Sequence, residues 1–123
     1  MITLSDLCPD VTFYQQLQSA QPGPVTLINT FTAPDGKVDE VIEAWRIDSV
    51  FMKASQGFIS AQLYLGTQGS GVLVNVAVWE SIGALRDAFS SSEFQSTQGL
   101  YPDGTVARPH LTHPVAVAGI CVA

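Results

Sequence analysis

Positive charge is scarce in this chain. Five of its 123 residues are Lys or Arg against eleven Asp or Glu, which leaves a net charge of -6 and an isoelectric point near 4.5. A phosphate backbone would meet net repulsion and no basic cluster, so nucleic acid is excluded as a partner. Charge of either sign is low, at 13% of residues. So thin a polar shell on a small surface points to apolar area covered by a second copy, a homo-oligomer. The two cysteines, Cys8 and Cys121, lie near opposite ends without Cys-x-x-Cys spacing. That argues against a thiolate metal site. Met1 to Asp6 has neither a basic leader nor an apolar core, so a cytoplasmic, reducing setting with free thiols is favoured over a terminal disulfide. No apolar run approaches the ~18 residues of a membrane-spanning helix, so no membrane partner is expected.

What is present is apolar: 46% of residues are hydrophobic, enough for one domain with a true core. Residues 1–24 read as an N-terminal extension with a short helix over Val11 to Ser19, on the spacing of Val11, Tyr14 and Leu17, closed by Gln21-Pro22-Gly23-Pro24. The domain proper spans 25–123. Val25 to Thr32 is rich in β-branched residues and reads as a strand. From Lys37 to Ser55 the period becomes helical, with Val38, Val41, Ile42, Trp45 and Met52 on one stripe and Asp39, Glu40, Glu43 and Arg46 on the wet side. Phe58 to Leu65 and Val72 to Trp79 are strands joined by the glycine-rich Gly66 to Gly71, which reads as a hairpin turn because phosphate loops lead from a strand into a helix. Ser81 can cap a helix over Ile82 to Phe89, and Ser91 to Gly99 adds a helical turn. After an irregular Tyr101 to Pro109, a last strand is expected over Leu111 to Val122, at an edge or bulged because of Pro114. The order is β-α-β-β-α-β, a ferredoxin-like α+β fold with an antiparallel sheet and two helices on one face. The other sheet face needs a cover, best supplied by a second chain.

Candidate chemistry concentrates in Val74-Asn75-Val76-Ala77-Val78-Trp79. Strand alternation puts Asn75 and Trp79 on one face with only the Ala77 methyl between them, while Val72, Val74, Val76 and Val78 share the other. The first strand repeats the theme, since Asn29 shares a face with Val25, Leu27 and Phe31. Two readings stand side by side: a pocket lined by amides and an indole, or a core Trp with an amide that satisfies backbone. Trp45 is better placed as a core residue than as a ligand contact. His110 and His113, three apart in extended chain, point to opposite faces and lack a third ligand, so no metal is expected. They read as surface or edge residues, with a proton-shuttle role open to His110. No nucleophile with a base at recognisable spacing occurs, and Ser90-Ser91-Ser92 reads as a helix junction.

Thr26-Leu27-Ile28-Asn29-Thr30-Phe31, Phe51-Met52-Lys53-Ala54-Ser55-Gln56-Gly57-Phe58, the Asn75 to Trp79 element and Ala88-Phe89 to Phe94 together resemble the antibiotic biosynthesis monooxygenase family, in particular the cofactor-free anthrone oxygenases of aromatic polyketide pathways. The resemblance spans about residues 25 to 118. It implies a dimeric α+β barrel with a ligand cavity inside each subunit, Asn75 and Trp79 facing the helices, and Asn29, Asn75 and Trp79 in catalysis without a cofactor. The four-valine face would then lie between subunits. Haem-degrading relatives need a His on the second helix; Ile82 to Phe89 has none, which disfavours haem degradation. The common Pro before the Gly-Phe pair is Gln56 here.

The activity so implied is oxidation of a polycyclic, anthrone-like substrate to a quinone by dioxygen. An acidic methylene in such a ring system supplies the reducing electrons itself. The protein would bind the flat ligand, offer amide and indole N–H donors to the developing enolate oxygen and exclude water. Four residues of strand span about 13 Å, which matches three to four fused rings. The proton would pass to water, to the substrate's own phenolate or to His110. A polyketide cyclase and a small-metabolite-binding protein without catalysis remain the alternatives on the same barrel. The sequence leaves open whether Gln62, Tyr64 or Arg86 reaches the cavity, with Arg86 read first as a solvated helix residue.

Overall fold

The computed structural model describes residues 1–123. The chain runs β1 (Thr3–Leu4), α1 (Phe13–Leu17), β2 (Val25–Thr32), α2 (Val38–Ala54), β3 (Phe58–Leu65), β4 (Val72–Trp79), α3 (Ile82–Ser90), α4 (Ser92–Thr97), a 3-10 turn at Gln98–Leu100, and β5 (Val106–Thr112). From β2 onward this is the ferredoxin-like α+β order, with α4 as a short continuation of α3. The strands form one five-stranded sheet in the order β1-β5-β2-β4-β3. The β5-β2, β2-β4 and β4-β3 pairs are antiparallel, and β1 lies parallel to β5.

Local chemistry sets the boundaries. The Ser81 hydroxyl accepts from the Ala84 amide at 3.1 Å and starts α3. Ser91 accepts from the Phe94 amide at 3.1 Å and donates to the Ala88 carbonyl at 2.7 Å, so one hydroxyl ends α3 and begins α4. Gly57, at φ +88°, turns the chain from α2 into β3 directly against α3: a Cβ there would fall 2.4 Å from that of Ala84. Gly66 to Gly71 forms the connection of the β3-β4 hairpin.

The helices pack on one face of the sheet. Val25, Leu27, Ala77, Trp79 and Leu111 meet Phe13 and Leu17 of α1 and Ile82, Leu85 and Ala88 of α3. Phe31, Leu73 and Ala107 meet Val41 and Ala44 of α2. None of Val72, Val74, Val76 and Val78 belongs to either cluster, and Val72 and Tyr64 are 43% and 57% exposed. The valine face of β4 is the uncovered side of the sheet.

Two segments depart from the sequence reading. The last strand is Val106–Thr112 rather than Leu111–Val122, and residues 113–123 leave the sheet and are exposed. Pro109 lies inside β5 without breaking it. The Leu111 N–H points away from β2 to the Gln16 side chain, and Pro109, two residues earlier, turns its nitrogen to that same outer edge. There β1 has already ended, at Leu4 opposite Ala107, so no neighbouring strand needs the missing donor. Residues 1–24 form part of the same edge. α1 buries Phe13 and Leu17, four apart, and leaves Val11 and Tyr14 exposed at 47% and 58%. A capping box of Thr12 and Gln15 starts it. Beyond β1, the Gln16 amide accepts from Leu111 N at 2.8 Å and donates to Leu111 O at 2.9 Å, so one side chain serves as a strand partner. Cys8 and Cys121 are both free thiols. No helix is long and apolar enough to cross a membrane.

Candidate active site

Asn29 and Asn75 face one another across the β2-β4 pair. On one side of them Leu27 pairs with Ala77, and on the other Phe31 pairs with Leu73. The first pair belongs to one core cluster and the second to another, so the hydrophobic core is cut in two at the asparagines. Both amide oxygens are buried without a hydrogen-bond partner. Each orphaned acceptor costs about 1–3 kcal/mol, and a half-turn of either amide presents an N–H donor at the same place.

The space beside them is a partly open cavity of about 60 Å³. That is several times the ~15 Å³ one trapped water requires. Strands β2 and β4 supply Asn29, Asn75, Ala77 and Trp79, β3 supplies Phe58 and Ala61, and α2 covers it with Trp45, Asp48, Ser49 and Met52. Trp79 is 1% exposed, with Phe58 edge-on to its ring at 5.4 Å and 89°. Flat apolar walls and a few polar atoms are what a polycyclic ligand needs.

The cavity holds one buried acid. Asp48 is 6% exposed; its Oδ2 accepts from the Tyr101 hydroxyl and its Oδ1 from Ser49 Oγ at 3.2 Å. Burial pushes its carboxyl up to about 6, against the pull of donors from Tyr101, Ser49 and Gln98. Burial, then the charge of Asp48, drives the Tyr101 hydroxyl well above its usual range, so it stays protonated and donates. Tyr101 also stacks on Phe31, centroids 5.9 Å apart and planes at 11°, which fixes its ring.

Of the residues singled out from sequence, Asn29, Asn75 and Trp79 share the cavity. His110 does not join them. It pairs with Ile28, one place out of step with Asn29, so strand alternation turns it to the opposite face, with Gln16 Nε2 3.3 Å from its Nε2. Gln62 pairs with Val76 and Tyr64 with Val74, which puts both on the uncovered face as well. Arg86 donates to the Leu17 carbonyl at 3.0 Å and ties α3 to the end of α1. Trp45 packs against the core cluster of Phe31, Val41 and Leu73, as expected for it, and lines the cavity as well. Sequence reasoning missed Asp48 and Tyr101. Asp48 did leave a signal: it falls on the helical stripe of Val41, Ala44, Trp45 and Met52, where a carboxylate is out of place. Ile2, Leu4 and Phe13 of the extension also reach the cavity wall, which no local pattern announces.

A five-stranded ferredoxin-like sheet with an amide-lined pocket under its helices defines an α+β protein with room for a small ligand. The profile of the antibiotic biosynthesis monooxygenase family matches residues 24–100, and the chain belongs to that family. Among solved structures it is similar to SnoaB, a cofactor-independent oxygenase from Streptomyces nogalater, at 22% identity and a TM-score of 0.71 over 79% of this chain and 98% of that one. It is also similar to a candidate monooxygenase from Shewanella loihica PV-4, at 29% identity and a TM-score of 0.67 over 80% and 100% of the two chains. PA3566 from Pseudomonas aeruginosa is similar at 18% identity and a TM-score of 0.64, over 80% and 100%. No curated protein sequence matches at a significant level.

Proposed function

We propose that this chain is a cofactor-independent monooxygenase that oxidises an anthrone-like carbon acid to the quinone, with Asn29, Asn75 and Trp79 as its catalytic residues. The observation that carries the reading is the pair of facing amides, both with unpartnered buried oxygens, in an aromatic-walled cavity. The polar groups of that wall are amides, hydroxyls, indole N–H groups and one carboxylate, a set suited to holding an oxyanion rather than a redox metal.

The chemistry balances without a further reductant. The substrate methylene loses a proton, and its electron pair spreads onto the ring carbonyl oxygen, where an Asn29 or Asn75 N–H and the Trp79 indole N–H stabilise it. The carbanion passes its electrons to dioxygen, a C–O bond forms, and the peroxide takes up a proton. Loss of the second methylene proton then breaks the O–O bond, leaving a carbonyl and water: CH2 plus O2 gives C=O plus H2O. Two chains joined through the uncovered valine face complete the assembly, which keeps each cavity within one subunit.

The test is anthrone with the purified protein under 18O2, following oxygen uptake, quinone absorbance and product mass. One labelled oxygen in the product, formed at an unchanged rate with chelator present, is expected. A cyclase would convert a poly-β-ketone chain without oxygen uptake, and a binding protein would take up anthrone without product; either result overturns the proposal. Asn75→Ala is expected to lower kcat by about 10²–10³ with a smaller change in KM.

A further inference from the structure

The oxidation lacks a base among Asn29, Asn75 and Trp79, since neither an amide nor an indole accepts a proton at neutral pH. We propose that Asp48 is that base: it takes the first proton from the substrate C–H and returns it to the peroxide oxygen after dioxygen has added. The assignment rests on the monooxygenase reading and supplies its proton path.

Three observations carry it. Asp48 and Tyr101 are the titratable side chains on the wall of the cavity that holds the asparagines, and His110 lies on the other face of the sheet. The Asp48 carboxylate is anchored at both oxygens, by Tyr101 and by Ser49, yet a carboxylate has about four acceptor positions, so each oxygen keeps capacity for a substrate proton. Its surroundings are otherwise apolar or neutral. Around the cavity it lines, the 3-10 turn offers the Gln98 amide, β3 offers Phe58 and Ala61, α4 offers Phe94, and the N-terminal extension offers Ile2 and Leu4. No Lys, Arg or His lines that cavity. Burial therefore makes it a stronger base than an exposed Asp, with a carboxyl that ionises near pH 6.

The charge arithmetic favours the same step. An ionised Asp48 puts one negative charge in the site before reaction, and proton transfer moves that charge to the enolate oxygen without creating another. The unpartnered amides stand ready where it arrives. Tyr101, held by Phe31, is a positioning residue that aims the carboxylate and keeps its own proton throughout.

The experiment separates proton removal from oxidation. Anthrone is incubated anaerobically in D2O with wild-type protein, Asp48→Asn and Tyr101→Phe, and methylene deuteration is followed by NMR across pH 4.5–8; aerobic oxygen uptake is measured in parallel. Asp48→Asn is nearly isosteric and still accepts from Tyr101, and its melting temperature reports folding. Wild-type exchange is expected to rise with an apparent pKa near 6. Asp48→Asn is expected to lose about 10²–10⁴ in exchange and in kcat, together with the acid limb. Tyr101→Phe is expected to move that limb rather than erase it. Wild-type exchange without oxygen uptake would support the base and sink the monooxygenase reading. Oxygen uptake by folded Asp48→Asn at the wild-type rate, or wild-type exchange without an acid limb, overturns the base and spares that reading. Absence of both exchange and uptake in wild-type protein overturns both.

Discussion

Replacing Asn75 by Leu is expected to raise the stability of the protein while abolishing its turnover. The Asn75 oxygen is buried without a partner, and that defect costs about 1–3 kcal/mol in the folded state. Leu keeps the branch at Cγ, removes the orphaned group, and finds room for its extra volume in the adjoining cavity of about 60 Å³. Unfolding entropy of roughly 2 cal/mol/K per residue gives about 0.26 kcal/mol/K for a chain of 123 residues. The gain therefore corresponds to a rise of about 4–12 °C. Thermal unfolding by circular dichroism at fixed protein concentration, with oxygen uptake on the same samples, reads both effects; the concentration matters because a self-associating chain melts in a concentration-dependent way. A fall of several degrees would mean that the amide is satisfied and structural. Retained turnover would remove Asn75 from the chemistry. Either outcome breaks the inference from an orphaned oxygen to a ligand site.

Three further substitutions probe other parts of the structure. Asp48 favours its protonated form when folded, so its contribution is fully present below the unfolded value of 3.8 and is lost as pH rises through about 6; the loss is about 3 kcal/mol, and Asp48→Asn should flatten urea-derived stability between pH 4 and 7. On the proposed pairing of two chains through the uncovered sheet face, Val76→Asp is expected to shift sedimentation from a dimer to a monomer while the cavity stays intact within each chain; an unchanged sedimentation coefficient would remove that pairing. Gly57→Ala forces a 2.4 Å contact with Ala84 and strains a positive φ, so a loss of about 2–4 kcal/mol in denaturant unfolding is expected, and a neutral result would mean that α3 shifts freely.

The domain from Val25 to Ser90 was legible because periodicity there coincides with burial. Period-two alternation in β2 and β4 separates the Asn29, Asn75 and Trp79 face from the valines, and the period of α2 separates Val41 and Ala44 from Glu43 and Arg46. The Ser81 cap and the glycine-rich hairpin are local chemistry and fell where local rules put them. The last strand falls at Val106–Thr112 rather than Leu111–Val122 because the nitrogen of Pro109 meets the outer edge beyond β1, and β1 is remote in sequence. The extension was opaque for a related reason. Phe13 and Leu17 pack against α3 and the sheet, and Gln16 pairs with Leu111, 95 residues away.

The chain alone therefore states which side chains share a face, since pleat and helical pitch are properties of the backbone. It carries the three residues Asn29, Asn75 and Trp79 as one set, and the resemblance to the monooxygenases with them. Proximity across elements is a different quantity, settled by strand register and helix packing. Register sets Asn29 opposite Asn75 and turns His110 away. Packing lays α2 over that pair and brings Asp48 and Tyr101, 53 residues apart, into one hydrogen bond. An acid on a greasy helical stripe looks like a misfit until the fold shows the cavity it faces.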